Sequence, residues 1–85
     1  MNLFQSVVNQ KLNTLDAEEL LKYAALYKLN ISKKEAQQIA AMMNGKNINI
    51  FNDSERKKLL QKIARQVNPE LAKELHHLFK QFMKL

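Results

Sequence analysis

Residues 19–31 read Glu19-Leu-Leu-Lys-Tyr-Ala-Ala-Leu-Tyr-Lys-Leu-Asn-Ile31, and they form the helical pattern that is most nearly apolar on every side. When the stretch is wound at about 100° per residue, only Lys22 and Lys28 interrupt its apolar surface. A helix that is apolar on several sides is normally covered on several sides. We therefore predict that this is the central helix of a small bundle, in which Ala24 and Ala25 let a neighbouring backbone approach closely.

Composition bounds the fold class. One glycine and one proline leave little room for the many turns of a β-rich fold. The 85 residues suit a single domain over 1–85, which should bury roughly 60 to 65% of its unfolded surface. The absence of cysteine excludes a disulfide framework and a Cys-based zinc site, and it fits a reducing compartment. Neither a signal peptide nor an apolar run of about 20 residues is evident, so we expect a cytoplasmic all-α domain.

Helix-start and helix-stop chemistry divides the chain into about five short helices. Asp16 with Glu19, and Ser32 with Glu35, have the spacing of capping boxes, in which each side chain satisfies the other residue's backbone N–H. Gly45 is expected in the left-handed conformation just past a helix end. The predicted helices cover about 2–12, 16–29, 32–43, 54–67 and 69 to near the C-terminus, with Asn30 ending the second and a short extended segment near 47–51.

Apolar spacing predicts which helix faces are buried. The first helix presents one apolar face and needs a partner surface, the last two helices each carry a core-facing arc, and the extended segment lays its apolar residues against the bundle. The predicted sets are Leu3, Phe4, Val7, Val8 and Leu12; Leu59, Leu60, Ile63, Ala64 and Val67; Leu71, Ala72, Leu75, Leu78, Phe79, Phe82 and Met83; and Ile48, Ile50 and Phe51.

Three stretches carry a family resemblance. They are Met1-Asn-Leu-Phe-Gln5 at the start, Gly45-Lys-Asn-Ile-Asn-Ile-Phe51 in the middle, and Asn68-Pro-Glu-Leu-Ala-Lys-Glu74 at the last corner. Together they resemble the YqfT-like family of uncharacterised small proteins from Bacillus-type bacteria, over essentially the whole chain. The resemblance implies a domain of unknown function and a bacterial source, and it brings no catalytic motif to carry over.

Catalytic and metal-binding patterns are weak in this sequence. No serine has a nucleophile-elbow context, and no phosphate-binding glycine loop is present. Glu74 and His77 have the Glu-x-x-His spacing of di-iron bundles, but such sites need a second copy of the motif and two further carboxylates. His77 on a solvated polar face is the simpler interpretation. We therefore expect no enzyme activity, no cofactor and no metal site.

Charge patterning gives the stronger functional hypothesis. Residues 1–45 carry five lysines against four acids, whereas 46–85 carry nine lysines and arginines against four acids. Like charges at helical spacing repel, so stripes of them favour an anionic partner such as nucleic acid or an acidic protein surface. A solvated lysine-rich face is the alternative. The two stripes contain Lys58, Lys62 and Arg65 on the fourth helix, and Lys73, His77, Lys80 and Lys84 on the fifth.

A second nucleic-acid hypothesis concerns residues 25–39, which are similar to a helix-turn-helix. Asn30 stands where a turn glycine is usual, and Ala36 and Ile39 should face inward. The exposed recognition residues would then be Lys33, Lys34, Gln37 and Gln38, and glutamine can read adenine edges. An ordinary helical hairpin with a capped turn gives the same pattern.

Surplus apolar residues favour a protein partner instead. Tyr23, Leu26, Met42 and Leu85 lie off the predicted core faces, which indicates a homodimer or an adaptor surface. Membrane binding by the last helix is disfavoured, because so small a domain needs that apolar face for its core. The sequence thus predicts a non-enzymatic binding module, with nucleic acid as the leading partner and protein–protein contact as the alternative.

Overall fold

Five helices account for most of the chain. The computed structural model describes the backbone of residues 2–83 and the side chains of residues 2–81. The helices are α1 (Leu3–Leu12), α2 (Ala17–Leu26), α3 (Lys33–Met43), α4 (Asp53–Gln66) and α5 (Pro69–Met83). Residues 47–49 are irregular, residues 50–51 form a turn, and no strand occurs between residues 2 and 83. The predicted all-α class is confirmed.

The predicted helix starts are formed by side-chain caps. The Asp16 carboxylate accepts from the Glu19 N–H at 2.8 Å, and the Ser32 hydroxyl accepts from the Glu35 N–H at 3.1 Å, with both capping boxes complete. Each cap satisfies backbone donors that a helix cannot satisfy itself. Gly45 follows α3 with φ 74°, as predicted.

The end of α2 differs from the prediction. The helix stops at Leu26, and Lys28 takes the left-handed conformation (φ 59°) that was expected of Asn30. The Leu29 N–H reaches back to the Ala24 carbonyl at 2.8 Å, and the Lys28 N–H reaches the Ala25 carbonyl at 3.2 Å. This pair of bonds is a Schellman closure. The closure turns Leu29 back onto the core. The chain gains this apolar contact because the helix ends earlier than predicted.

The prediction that α2 is the central helix is wrong. The largest fully buried side chains are Ile50, Ile63 and Leu71. Ile50 belongs to the connecting segment between α3 and α4 (residues 44–52), Ile63 to α4 and Leu71 to α5. Among the residues of α2 only Ala24 is buried, at 3% exposure, and Leu26 is 74% exposed. Ile50 fills the centre from a connecting segment, so α2 packs mainly on α3 and keeps its other sides open.

The arcs predicted for the last two helices are confirmed within the described residues. Leu59 and Ile63 of α4 pack against Leu71, Leu75 and Phe79 of α5 in one apolar cluster, with the remaining predicted residues of these arcs buried or half-buried at its edge. Ile48 and Phe51 flank the fully buried Ile50 and are half-buried, as predicted. The side chains of Phe82 and Met83 lie outside the described residues.

The buried face of α1 is not the one that apolar spacing predicted. Leu3 is 81% exposed and Val7 is 56% exposed, whereas Asn9 and Asn13 are each only 8% exposed. Val8 and Leu12 are half-buried and touch the core. The helix therefore turns an amide-bearing edge inward, together with part of its apolar face.

Hydrogen bonds to the connecting segment explain this orientation. The Asn13 side chain accepts from the Ile48 N–H at 2.7 Å and donates to the Ile48 carbonyl at 2.8 Å. The Asn9 side chain accepts from the Ile50 N–H at 3.1 Å and donates to the Asn49 side chain at 2.7 Å. A segment outside any sheet must find such partners, because unpaired buried backbone groups are costly. Asn9 and Asn13 thus replace a neighbouring strand.

The start of α4 completes the support of the segment. The buried Arg56 donates to the Ile50 carbonyl at 3.1 Å and pairs with Asp53. A fully buried Ile50 therefore has its N–H bound by α1 and its carbonyl bound by α4. None of the helices within residues 2–83 is long and apolar enough to cross a membrane.

Replacing Asn13 by alanine should destabilise the fold strongly. Asn13→Ala leaves the N–H and carbonyl of Ile48 without their partner, at about 1 to 3 kcal/mol for each group that stays dry. For a domain of this size we expect the melting temperature to fall by roughly 10 °C or more. Thermal unfolding followed by circular dichroism measures it. Gln10→Ala, an exposed amide on the same helix, is the control and should melt within a few degrees of the parent, about as surface substitutions do. Equal melting temperatures for both variants would contradict the role assigned to Asn13.

Candidate binding faces

The basic stripe of α4 borders a shallow pocket at the junction of α3 and the connecting segment. Lys58, Lys62 and Arg65 are all exposed, as predicted. Lys58 and Lys62 line a pocket of about 300 Å³, together with Lys46. Lys46 was absent from the predicted site, since its position depends on the path of the chain after Gly45. We call Lys46, Lys58 and Lys62 the lysine face.

The lysine face keeps its charges available. Within the described residues, none of the three lysines forms an ion pair. Glu55 also lines the pocket, and its carboxylate accepts from the Asn49 backbone N–H at 3.2 Å. Three cations therefore surround a concave site that contains one carboxylate already engaged by the backbone.

The stripe of α5 has a different setting. Lys73, His77 and Lys80 are exposed, on the side of the helix away from its buried residues. Lys73 lies 3.8 Å from the Glu70 carboxylate, which reduces its local field. None of these three residues lines the lysine-face pocket. Lys84 lies outside the described residues. The structure therefore does not combine the two predicted stripes into one pocket.

His76 lies beside this stripe and is half-buried. Desolvation, followed by the charges of Lys80 and Arg56, holds the pKa of His76 below its ordinary value. Its ring centre is 6.2 Å from that of His77. Within the described residues, no group of three or more His, Asp or Glu side chains could hold a metal ion.

The predicted recognition residues lie on α3. Lys33, Lys34 and Gln37 are exposed and Gln38 is half-buried, while Ala36 and Ile39 face inward as expected. The preceding turn departs from the predicted helix-turn-helix, because the left-handed residue is Lys28, two positions before Asn30.

Glu35 sits among these residues, and the cap holds its carboxylate. Glu35 accepts from the Ser32 N–H at 2.9 Å and from the Asn68 side chain at 3.0 Å. These hydrogen bonds hold the pKa of Glu35 below its ordinary value of 4.5. The acid that would face phosphates is therefore tied to the last corner of the chain.

A third face is apolar. Large side chains of α1, of α2 and of its C-cap remain exposed, and three of them, Val7, Tyr23 and Tyr27, line a groove of about 280 Å³. Leu75, Leu78 and Phe79 of α5 also line this groove. Tyr23 and Leu26 are exposed as predicted, but Met42 is half-buried against the core, and Leu85 lies outside the described residues. We call the following six side chains the apolar face: Leu3, Phe4, Val7, Tyr23, Leu26 and Tyr27.

Comparison with known proteins agrees with the predicted resemblance. The model of the family described as "Protein of unknown function (DUF2624)" matches residues 1–83. An uncharacterised protein of Bacillus subtilis (strain 168), YqfT, is 42% identical over 82 residues, which are 96% of this chain and 98% of that protein. No solved structure matches the chain.

The hydrogen bonds to Glu35 predict a pH dependence. Because the pKa of Glu35 is lowered in the folded state, its stabilising contribution is present above about pH 4.5 and is lost as the pH falls through the folded value. Asn68→Asp keeps an oxygen that can cap α5 but replaces the donor to Glu35 with a second carboxylate, so the pKa of Glu35 should rise. NMR titration of the Glu35 carboxyl carbon measures it, with Glu35→Gln to assign the signal. An unchanged pKa in Asn68→Asp would show that this contact does not stabilise the carboxylate.

Proposed function

We propose a function that is based on the charged face of the folded chain. The chain belongs to the DUF2624 family of proteins of unknown function. In this proposal the protein is a small non-enzymatic binding module of the cytoplasm. Its partner is anionic, and nucleic acid is the leading class. The site is the lysine face, with Arg65 extending it along α4.

One observation supports this proposal above the others. The connecting segment brings Lys46 beside Lys58 and Lys62, so that three like charges line one concave site. Like charges in proximity repel, and a bound phosphate backbone would relieve that repulsion. Binding would also release the counterions of the nucleic acid. The stripe of α5 fits an anion less well, because Glu70 lies 3.8 Å from Lys73, whereas the Glu55 carboxylate in the lysine face accepts from the Asn49 N–H.

Three double variants test the location of the site. Lys58→Gln with Lys62→Gln, Lys73→Gln with Lys80→Gln, and Lys33→Gln with Lys34→Gln all remove two charges and change the net charge equally. Only the first should weaken binding to labelled RNA or DNA substantially and reduce the salt slope, by about 1.4 to 1.8 for two lost phosphate contacts. Fluorescence anisotropy from about 20 mM to about 200 mM salt measures both quantities.

Two results would contradict the proposal. Equal losses in all three double variants would indicate attraction to the net charge without a site. No binding by the parent protein at low salt, where weak electrostatic association is strongest, would leave the lysine face as a solvated surface. The helix-turn-helix alternative predicts a different pattern: Gln37→Ala or Gln38→Ala would relax sequence preference and leave the salt slope nearly unchanged.

A second candidate function is protein–protein contact through the apolar face. Exposure of Tyr23 and Tyr27 in the lining of an apolar groove favours it, since soluble monomers rarely expose large contiguous apolar patches. This candidate covers the predicted adaptor and homodimer. Its binding would be nearly insensitive to salt, which separates it from the nucleic-acid candidate.

A further inference from the structure

We infer that the apolar face is the contact surface for a second copy of this chain. The inference rests on the second candidate function and names its partner. It depends on the arrangement of α1 and α2, on the area that they leave uncovered, and on the distribution of charge along the chain.

The apolar face is continuous across two helices. Lys11 of α1 meets Glu19 of α2 at 2.8 Å, where the two helices are joined by a short turn. Val7 lies one turn before Lys11, Tyr23 lies one turn after Glu19, and both line the same groove. Leu3 lies a further turn along α1, on the same side of that helix. Val7, Tyr23 and Tyr27 thus line one groove, and Leu3 extends the exposed apolar surface along α1.

The uncovered area is large enough for a dimer. With about 150 Å² for each fully exposed large side chain, the lower end of the aromatic range, the exposed fractions of the six residues amount to roughly 500 Å². Two facing copies that covered all of it would bury roughly 1,000 Å² from these side chains alone, which is about the minimum for a biological interface. In a two-fold dimer each copy contributes the same patch, so no other surface is needed.

The shape of the face suits self-association. It combines a groove of about 280 Å³ with strongly exposed leucines outside the groove lining, since Leu3 is 81% and Leu26 is 74% exposed. An isologous contact needs such self-complementarity, in which the protrusion of each copy meets the depression of the other.

The charge distribution favours a second copy over an oppositely charged partner. The face belongs to residues 1–45, where five lysines oppose four acids, whereas 46–85 carry nine basic residues against four acids. The charged pair at the rim of the groove, Lys11 with Glu19, is internally neutral. Two copies can therefore meet through their nearly neutral halves. An acidic partner would be attracted to the other half.

Sedimentation equilibrium of the whole chain, from about 10 µM to about 1 mM, tests the inference. We expect a reversible change from the monomer mass of 9.9 kDa to twice that value. Leu26→Lys and Val7→Lys should each weaken dimerisation about tenfold or more, because each removes an apolar side chain from the interface and adds a charge. Ala25→Lys is the matched control, since Ala25 is exposed on α2 but is a small side chain outside the six of the apolar face, and it should dimerise as the parent does. Raised salt should not weaken the dimer, because it screens the repulsion between two cationic copies.

Two results would overturn the inference: a mass of 9.9 kDa at every concentration, or a dimer that Leu26→Lys and Val7→Lys leave intact. Thermal melts establish that the variants are folded. If no dimer forms, binding of the dye anilinonaphthalene sulfonate shows whether the second candidate function also fails. If the monomeric parent protein binds the dye and Val7→Lys does not, the apolar face is open and available to a different protein. A monomer that does not bind the dye has neither function.

Discussion

The hydrogen bonds from Asn9 and Asn13 to the backbone of residues 48–50 are the constraint on which the rest of the structure depends. They hold an irregular segment against α1 and place Ile50, with no exposed surface, at the centre of the core. Because Arg56 binds the carbonyl of the same residue, they also fix the start of α4. The position of Lys46 beside Lys58 follows from this path. One polar anchor thus determines both the core and the lysine face.

The same anchor explains why α1 exposes apolar side chains. A helix can turn only one edge inward, and the edge that carries Asn9 and Asn13 is roughly fixed by the groups it must bind. Turning Leu3 and Val7 inward would leave the N–H groups of Ile48 and Ile50 without their partners, at about 1 to 3 kcal/mol for each dry group. This penalty offsets much of the gain of about 1.5 to 3 kcal/mol for each buried side chain. The exposure of Leu3 and Val7 in the apolar face is therefore a consequence of the hydrogen bonding.

The features of the fold that depend on local chemistry were predictable, whereas the long-range arrangement of the helices was not. The capping boxes at Asp16 and Ser32 and the left-handed Gly45 depend on residues within one turn, so the sequence specifies them directly. The burial of α2 could not be inferred in this way, because a helix that is apolar on all sides does not reveal which sides the chain covers. The burial of Asn9 and Asn13 could not be inferred either, because asparagine is usually exposed and a spacing of four residues fits a solvated helix face equally well.

The predictions for the candidate site divide in the same way, into local features that the sequence specifies and long-range ones that it does not. Exposure of Lys58 and Lys62 follows from helical spacing alone, but the addition of Lys46 and the separation of the α5 cations depend on how the connecting segment crosses the bundle. Charge and apolar surface are thereby distributed to different halves of the chain: the lysine face lies on residues 46–62 and the apolar face on residues 3–27. Binding at one face leaves the other uncovered. A pair of copies joined through the apolar face would present two lysine faces at a fixed separation, and linked sites on one polyanion bind more tightly than either alone. Self-association and anion binding would then reinforce each other, although raised salt weakens anion binding and does not weaken the dimer.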